Sequence, residues 1–225
     1  MVRKITYLLV LAAVASPWAH AVTVSPGSTV ALPGTTAAAE PDLAGTIVQD
    51  DLVPFTICCT NSNPGGGPVD ITGSVQERVV LAADGFYDFY WRVFVDSTSS
   101  AALGYFRLGN FGALTASYNI NYRTDGLGST APGSITRFSG SQANFYNYNF
   151  SPGGIAPGST SFFLFMDTTA TSYGKTAIYD LTNLAQNPIS ASFATWGPEP
   201  VPVPAAVWLF GSAVAALGLF RRRLS

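Results

Sequence analysis

From residue 28 to residue 195, apolar and polar side chains alternate with a period near two, in short runs separated by glycine, proline, serine and asparagine. Successive side chains of an extended strand point to opposite faces, so this period predicts half-buried β-strands. The runs place strands near 28–32, 45–49, 53–59, 74–81, 86–96, 103–109, 115–122, 145–150, 160–169, 174–181 and 188–195. Turn chemistry separates them at Asn63-Pro64-Gly65-Gly66-Gly67, Asp84-Gly85, Asp125-Gly126, Ala131-Pro132-Gly133 and Ser151-Pro152-Gly153-Gly154, because glycine and proline end extended runs. No stretch between them carries a sustained 3.6-residue apolar period. Many short strands at this spacing predict an all-β body, an antiparallel two-sheet sandwich or jelly roll.

The clearest strand runs from Phe86 to Val95. Tyr87, Phe89, Trp91, Val93 and Val95 share one face and the other admits Asp88 and Arg92, so the odd-numbered face is expected in the core. In 160–169, Phe162, Leu164 and Met166 alternate with Phe163 and Phe165, which predicts burial on both faces.

Both ends of the chain abandon this alternation. Residues 1–21 begin with Arg3 and Lys4, continue with an apolar run from Ile5 to Ala15, and close on Ala19-His20-Ala21. That order is a signal peptide with a small-x-small signal peptidase site, and cleavage after Ala21 leaves Val22 at the mature N-terminus. Ser16, Pro17 and His20 interrupt the run and argue against a permanent first membrane helix. With no twin-arginine motif, the general secretion route is the simpler expectation.

At the other end Pro198-Glu199-Pro200 precedes an apolar stretch, 201–220, and then Arg221-Arg222-Arg223. From Ala205 to Phe220 no residue is charged; at 1.5 Å per residue that segment spans roughly 24 Å as a helix. Adding Val201 to Pro204, with Pro202 and Pro204 at the helix entrance, brings it to about the usual spanning length. The arginines favour a cytoplasmic C-terminus. The chain is therefore expected to divide into a signal peptide with a signal helix (1–21), an exported β-sandwich body (22–196) and a tail (198–225) with a C-terminal transmembrane helix over 201–220 and a basic end over 221–225.

The tail, Pro198-Glu199-Pro200 followed by Val201-Pro202-Val203-Pro204-Ala205-Ala206-Val207-Trp208-Leu209-Phe210-Gly211-Ser212 and the arginines, resembles the PEP-CTERM sorting signal of Gram-negative bacteria. The resemblance implies an exosortase, an integral-membrane cysteine protease, that recognises and removes the tail. It also implies an association with exopolysaccharide and a biofilm or floc. Pro26-Gly27-Ser28-Thr29-Val30-Ala31-Leu32, Pro41-Asp42-Leu43-Ala44-Gly45, Tyr122-Arg123-Thr124-Asp125-Gly126-Leu127-Gly128 and the run from Phe162 to Tyr173 look like segments recurring in exported bodies attached to such tails. No catalytic residues come with that likeness.

Charge and histidine content narrow the functions of the body. Outside the two signals there are 12 acidic against six basic residues, a net charge of about −6, which argues against a nucleic-acid-binding surface. His20 is the only histidine and lies within the signal peptide. Once that peptide is removed, Ser-His-Asp and Cys-His catalysis and histidine-ligated zinc are excluded together. No carboxylate pair is marked as a glycosidase site, and the glycine loops lack the lysine of a phosphate cradle. No enzymatic activity and no required cofactor are expected.

Three further groups of residues carry candidate chemistry. Cys58 and Cys59 are adjacent and are the only cysteines; a strained vicinal disulfide, an intermolecular link and two reduced thiols are all consistent with the sequence. Asp50-Asp51, Asp84, Asp88, Asp96, Asp125 and Asp167 could supply oxygen ligands to Ca²⁺, although none falls in a twelve-residue calcium loop and turn-forming, solvated carboxylates are the simpler reading. In Asn144-Phe145-Tyr146-Asn147-Tyr148-Asn149-Phe150 aromatics alternate with amides, which makes Tyr146 and Tyr148 candidates for stacking on a glycan. Packing in the core is the competing reading. Taken together, the sequence predicts a non-enzymatic exported surface or extracellular-matrix protein. It is held briefly in the inner membrane by its tail and then released to the cell envelope, outer surface or matrix. A carbohydrate-binding module and a permanently membrane-anchored envelope protein are the alternatives.

Overall fold

The structure, a computed structural model, describes residues 20–60 and 69–200, except the side chains of residues 59, 60 and 69. The expected signal helix and C-terminal transmembrane helix lie outside these residues. Among the described residues no helix is long and apolar enough to cross a membrane.

The body is all-β. Its strands are β1 (Val22–Thr23), β2 (Thr29–Ala31), β3 (Gly45–Thr60), β4 (Val69–Ala82), β5 (Tyr87–Val95), β6 (Leu103–Gly109), β7 (Asn119–Arg123), β8 (Ser134–Arg137), β9 (Tyr146–Asn149), β10 (Phe163–Ala170), β11 (Tyr173–Asn183) and β12 (Phe193–Pro198). They form two six-stranded sheets: sheet A in the order β1-β7-β10-β5-β4-β3, and sheet B in the order β12-β11-β6-β9-β8-β2. Every strand ladder is antiparallel. After the meander β3-β4-β5 the chain crosses repeatedly between sheets, so the two layers are interwoven.

The main core lies between the sheets. Phe89, Trp91, Val93 and Val95 on β5 are buried, as their odd-numbered spacing predicts, and meet Phe106, Tyr148, Tyr179 and Leu181 from sheet B. Trp91 packs edge-on against Phe111 at 5.7 Å and tilted against Phe106 at 5.9 Å, the offset geometries that aromatic quadrupoles favour. Tyr148 Oη donates to the Phe165 carbonyl of sheet A at 3.0 Å. β10 is buried on both faces, as predicted. Phe163 and Phe165 join Leu43, Val80 and Tyr90 in a second, smaller cluster on the outer side of sheet A, near the 3₁₀ turn Pro41–Leu43.

Several elements differ from the sequence expectation. The runs 45–49 and 53–59 are one continuous strand, β3, through Asp50-Asp51. β3 is the edge of sheet A, where Pro54 need not donate to a ladder and charged residues discourage pairing with another chain. Asp50 and Asp51 thus sit within the strand and engage side chains across it. β8 was not foreseen; Ser134–Arg137 is short, and its apolar content is Ile135 alone. The last strand lies at 193–198 rather than 188–195 and takes in the first residue of the Pro-Glu-Pro tripeptide.

Candidate functional site

β12, the edge strand of sheet B, ends at Pro198, and hydrogen bonds hold residues 197–199 to the neighbouring strand and its preceding turn. In β12, Pro198 pairs with Tyr173 and Gly197 with Gly174. Beyond the strand, the Glu199 amide donates to the Ser172 carbonyl at 3.1 Å, and Ser172 Oγ donates to the Glu199 carbonyl at 3.1 Å. Thr176 Oγ1 donates to the Pro198 carbonyl at 3.2 Å. Pro198 is half-buried, whereas Glu199 and Pro200 are exposed. The tripeptide therefore starts inside the sheet and ends in solvent.

A polar and aromatic node holds β12 against sheet A. Thr195 Oγ1 accepts from the buried Trp91 indole at 2.9 Å. Trp196 donates its indole N–H to Asp51 Oδ2 at 3.0 Å, crosses Tyr173 edge-on at 5.6 Å, and lies under Lys175 Nζ at 4.3 Å. Lys175 bridges Asp51 at 3.3 Å and Glu77 at 2.6 Å. Glu77 is fully buried. Burial pushes its carboxyl above the ordinary range, and the Lys175 ammonium pulls it part of the way back. Such a node is rigid because each partner serves two others.

The other sequence candidates fall as follows. Ala21 is half-buried at the start of the body; its amide donates to Glu40 Oε1. Ala19 and Arg221, Arg222 and Arg223 lie outside the described residues. Cys58 is disulfide-bonded; the side chain of Cys59 is outside the described set.

For Tyr146 and Tyr148 the structure decides against glycan stacking and for packing in the core. They are 1% and 0% exposed and are core residues, not a stacking surface. β9 sits inside sheet B between β6 and β8, and its tyrosines join the core between the sheets, Tyr148 bonding the Phe165 carbonyl of sheet A, while Asn147 and Asn149 are half-buried on the other face. The partly exposed aromatics nearby are instead Phe138 and Phe145. With Arg107, Gln142, Ile178 and Asp180 they line a cavity of about 240 Å³ on sheet B.

Six of the seven candidate aspartates are engaged by the fold. Asp50 binds Arg78 at 2.7 Å, Asp125 binds Arg123 at 2.6 Å, and Asp84 accepts from the Phe86 amide at 3.0 Å. Among the described residues no group of three or more histidine, cysteine or acidic side chains is placed to hold a metal ion. Asp88, 1% exposed, accepts from the Thr168 amide at 3.0 Å. Burial, with smaller contributions from the Asp167 and Asp84 charges, pushes its carboxyl up to about 8. The folded state thus holds a proton that the unfolded chain releases near pH 4. Stability from this group is present below pH 4 and is lost as pH rises towards 8. Asp88→Asn keeps the oxygen that accepts from Thr168 and removes the charge. It is expected to stabilise the protein by about 2 kcal/mol at pH 8 and by little at pH 4, read from denaturation curves at both values. An equal effect at the two pH values would contradict the assignment.

No family model, no curated protein and no solved structure matches this chain. The buried Arg137 carries no signal in the sequence, because the short run Ser134–Arg137 holds a single apolar residue, Ile135.

Proposed function

We propose that the protein is a non-enzymatic exported surface or matrix protein whose β-sandwich presents a C-terminal sorting motif. In this reading residues 1–21 direct export, and Pro198-Glu199-Pro200 with the apolar stretch and Arg221-Arg222-Arg223 is the element that an exosortase-like membrane protease acts on. The processed body then joins the cell envelope, the outer surface or an exopolysaccharide matrix. The observation that carries the proposal is the position of the tripeptide: Glu199 and Pro200 are exposed where the last, firmly pinned strand leaves the sheet. A motif offered at a fixed point costs a recognising enzyme less ordering entropy than one on a free tether.

Intact-mass measurement on protein isolated from the cells that make it tests this directly. The expected species begins at Val22 and lacks residues 201–225. A mass retaining 201–225 would favour the permanently anchored alternative and remove the processing step.

A further inference from the structure

On the outer face of sheet B, register sets Asp180 of β11 beside Arg107 of β6, and Ile178 beside Gly109. The connection from β8 to β9 folds over these positions. The Phe138 amide donates to the Phe145 carbonyl at 3.0 Å and the Phe145 amide to the Gln142 carbonyl at 2.9 Å, with the 3₁₀ turn Gly140–Gln142 between them. The Phe145 ring lies directly on Gly109, where a Cβ would meet its Cε1 at 2.6 Å and Ile178 Cγ1 at 3.2 Å. The cavity of about 240 Å³ on this face is lined by the loop on one side and by the Arg107–Asp180 pair on the other, and Phe138 is 38% exposed there.

The polar lining sets a donor next to an acceptor. Arg107 donates to Asp180 Oδ1 through Nε alone, at 2.5 Å; its two terminal nitrogens and Asp180 Oδ2 make no hydrogen bond to another described residue. Arg123 and Asp125, by contrast, are joined by two bonds. Arg107 and Asp180 are both partly open to solvent, and Gln142 adds an exposed amide. The two charges cancel and no other charged residue lines the cavity, so it calls for neither an anion nor a cation. A charge-assisted donor beside a charge-assisted acceptor suits two neighbouring hydroxyls, and the Phe138 and Phe145 rings offer apolar surface to C–H groups. The volume falls below the roughly 300–1,000 Å³ of pockets that enclose a drug-sized ligand, so one ring enters and the rest of the ligand stays in solvent. A peptide strand would pair at a sheet edge, whereas β11, β6 and β9 are all interior strands.

We propose that this cavity binds one unit of a neutral glycan, a hexopyranose whose neighbouring hydroxyls bridge the Arg107 terminal nitrogens and Asp180 Oδ2 and whose C–H face lies on Phe138 and Phe145. The loop that carries both rings is closed by its backbone bonds and tied down by Arg137, whose Nε donates to the Ala143 carbonyl at 2.6 Å. The rings are therefore in place before the ligand arrives, and little ordering entropy is lost on binding. The site rests on its own geometry and not on the fate of the tail.

Calorimetric titration of the full-length protein tests it, with hexasaccharides of glucose, galactose and mannose as neutral probes and oligogalacturonate of equal length as the charged one. At least one neutral hexasaccharide is expected to bind, with an affinity that added salt changes by no more than about twofold, because no net charge is neutralised; oligogalacturonate is not. Phe138→Ala, at an exposed position, is expected to weaken binding about tenfold with the melting temperature unchanged. Asp180→Asn leaves Arg107 uncompensated; it is expected to weaken the neutral sugar about tenfold and to admit oligogalacturonate. Leu127→Ala, at an exposed position on the other sheet, is expected to change nothing. Failure of all three neutral probes, equally tight binding of oligogalacturonate to the unsubstituted protein, or full affinity in Phe138→Ala would each overturn the site. Retention of residues 201–225 in the mass measurement would leave these results untouched, so failure of the processing step and failure of the site are distinguishable.

Discussion

Arg137→Met is expected to lower stability by about 3 kcal/mol and the melting temperature by roughly 10 °C. Arg137 is 2% exposed and has no carboxylate partner among the described residues. Its guanidinium instead donates to three backbone carbonyls: Ala143 at 2.6 Å, Leu114 at 2.9 Å and Val24 at 3.1 Å. It also lies 5.3 Å from the centre of the Tyr146 ring. These carbonyls belong to three separate connections, before β2, before β7 and before β9, so one planar group ties together segments that no ladder joins. Two effects oppose each other in the variant. Methionine avoids the cost of burying a charge, which favours it. It also leaves carbonyls without donors, and hydrogen bonds to a charged group contribute about 1.5–3 kcal/mol each. Leu114 is exposed and water can reach its carbonyl, but Val24 and Ala143 are buried, so the loss outweighs the gain. Arg137→Lys, with one compact donor group in place of a fork, should fall between the two. Thermal melts measure the total, and hydrogen exchange should show faster opening in 111–118 and 139–145. A loss below 1 kcal/mol would mean that the connections hold without this anchor.

Arg137 also shows where sequence reasoning stops. Period-two alternation identified β5, β6 and β10 because their apolar residues outnumber alternatives on one face. It correctly turned Trp91 inward and buried both faces of β10. It failed at β8, where four residues provide too little pattern, and where the interior position is held by an arginine. The same pattern left the faces of β9 open: Tyr146 and Tyr148 alternate with amides whether the aromatics point in or out, and only the packing of sheet A against sheet B decides for the core. At β3, Asp50-Asp51 has the composition of a turn, yet the partners that keep it extended, Arg78, Lys175 and Trp196, are 25 or more residues distant. The attachment of Pro198 and Glu199 to the sheet through Ser172 and Thr176 was not legible, since no local rule links residues 172–176 to 198–199. A cavity on sheet A lined by Arg78, Tyr90, Arg123 and Phe163 has the same origin: these residues are scattered in sequence and come together only through strand order.

The node beneath the tail yields the second large effect. Lys175→Met is expected to cost about 2 kcal/mol at pH 8, a value discounted because water reaches about a third of the Lys175 side chain. The loss arises less from the missing attraction than from what remains: Glu77, with 0% exposure, keeps a buried carboxylate that Thr195 and Tyr179 help only in part and whose Oε2 has lost its ammonium. Burial raises the Glu77 carboxyl even with Lys175 present, and removing the lysine raises it further. Protonation then relieves the penalty, so the cost of Lys175→Met should shrink between pH 8 and pH 4 as the carboxyl takes up a proton. Glu77→Gln alone should cost less, because Lys175 retains Asp51 and the face of Trp196. The double variant should be more stable than Lys175→Met at pH 8, giving a coupling of about 1 kcal/mol or more in a double-mutant cycle. A pH-independent loss, or a coupling near zero, would show that Lys175 acts through packing on Trp196 alone. Because β12 is fastened to sheet A through this same lysine, indole and carboxylate, Lys175→Met should also loosen the end of the strand. Faster amide exchange at Glu199, whose bond to Ser172 closes the end of β12, would report it.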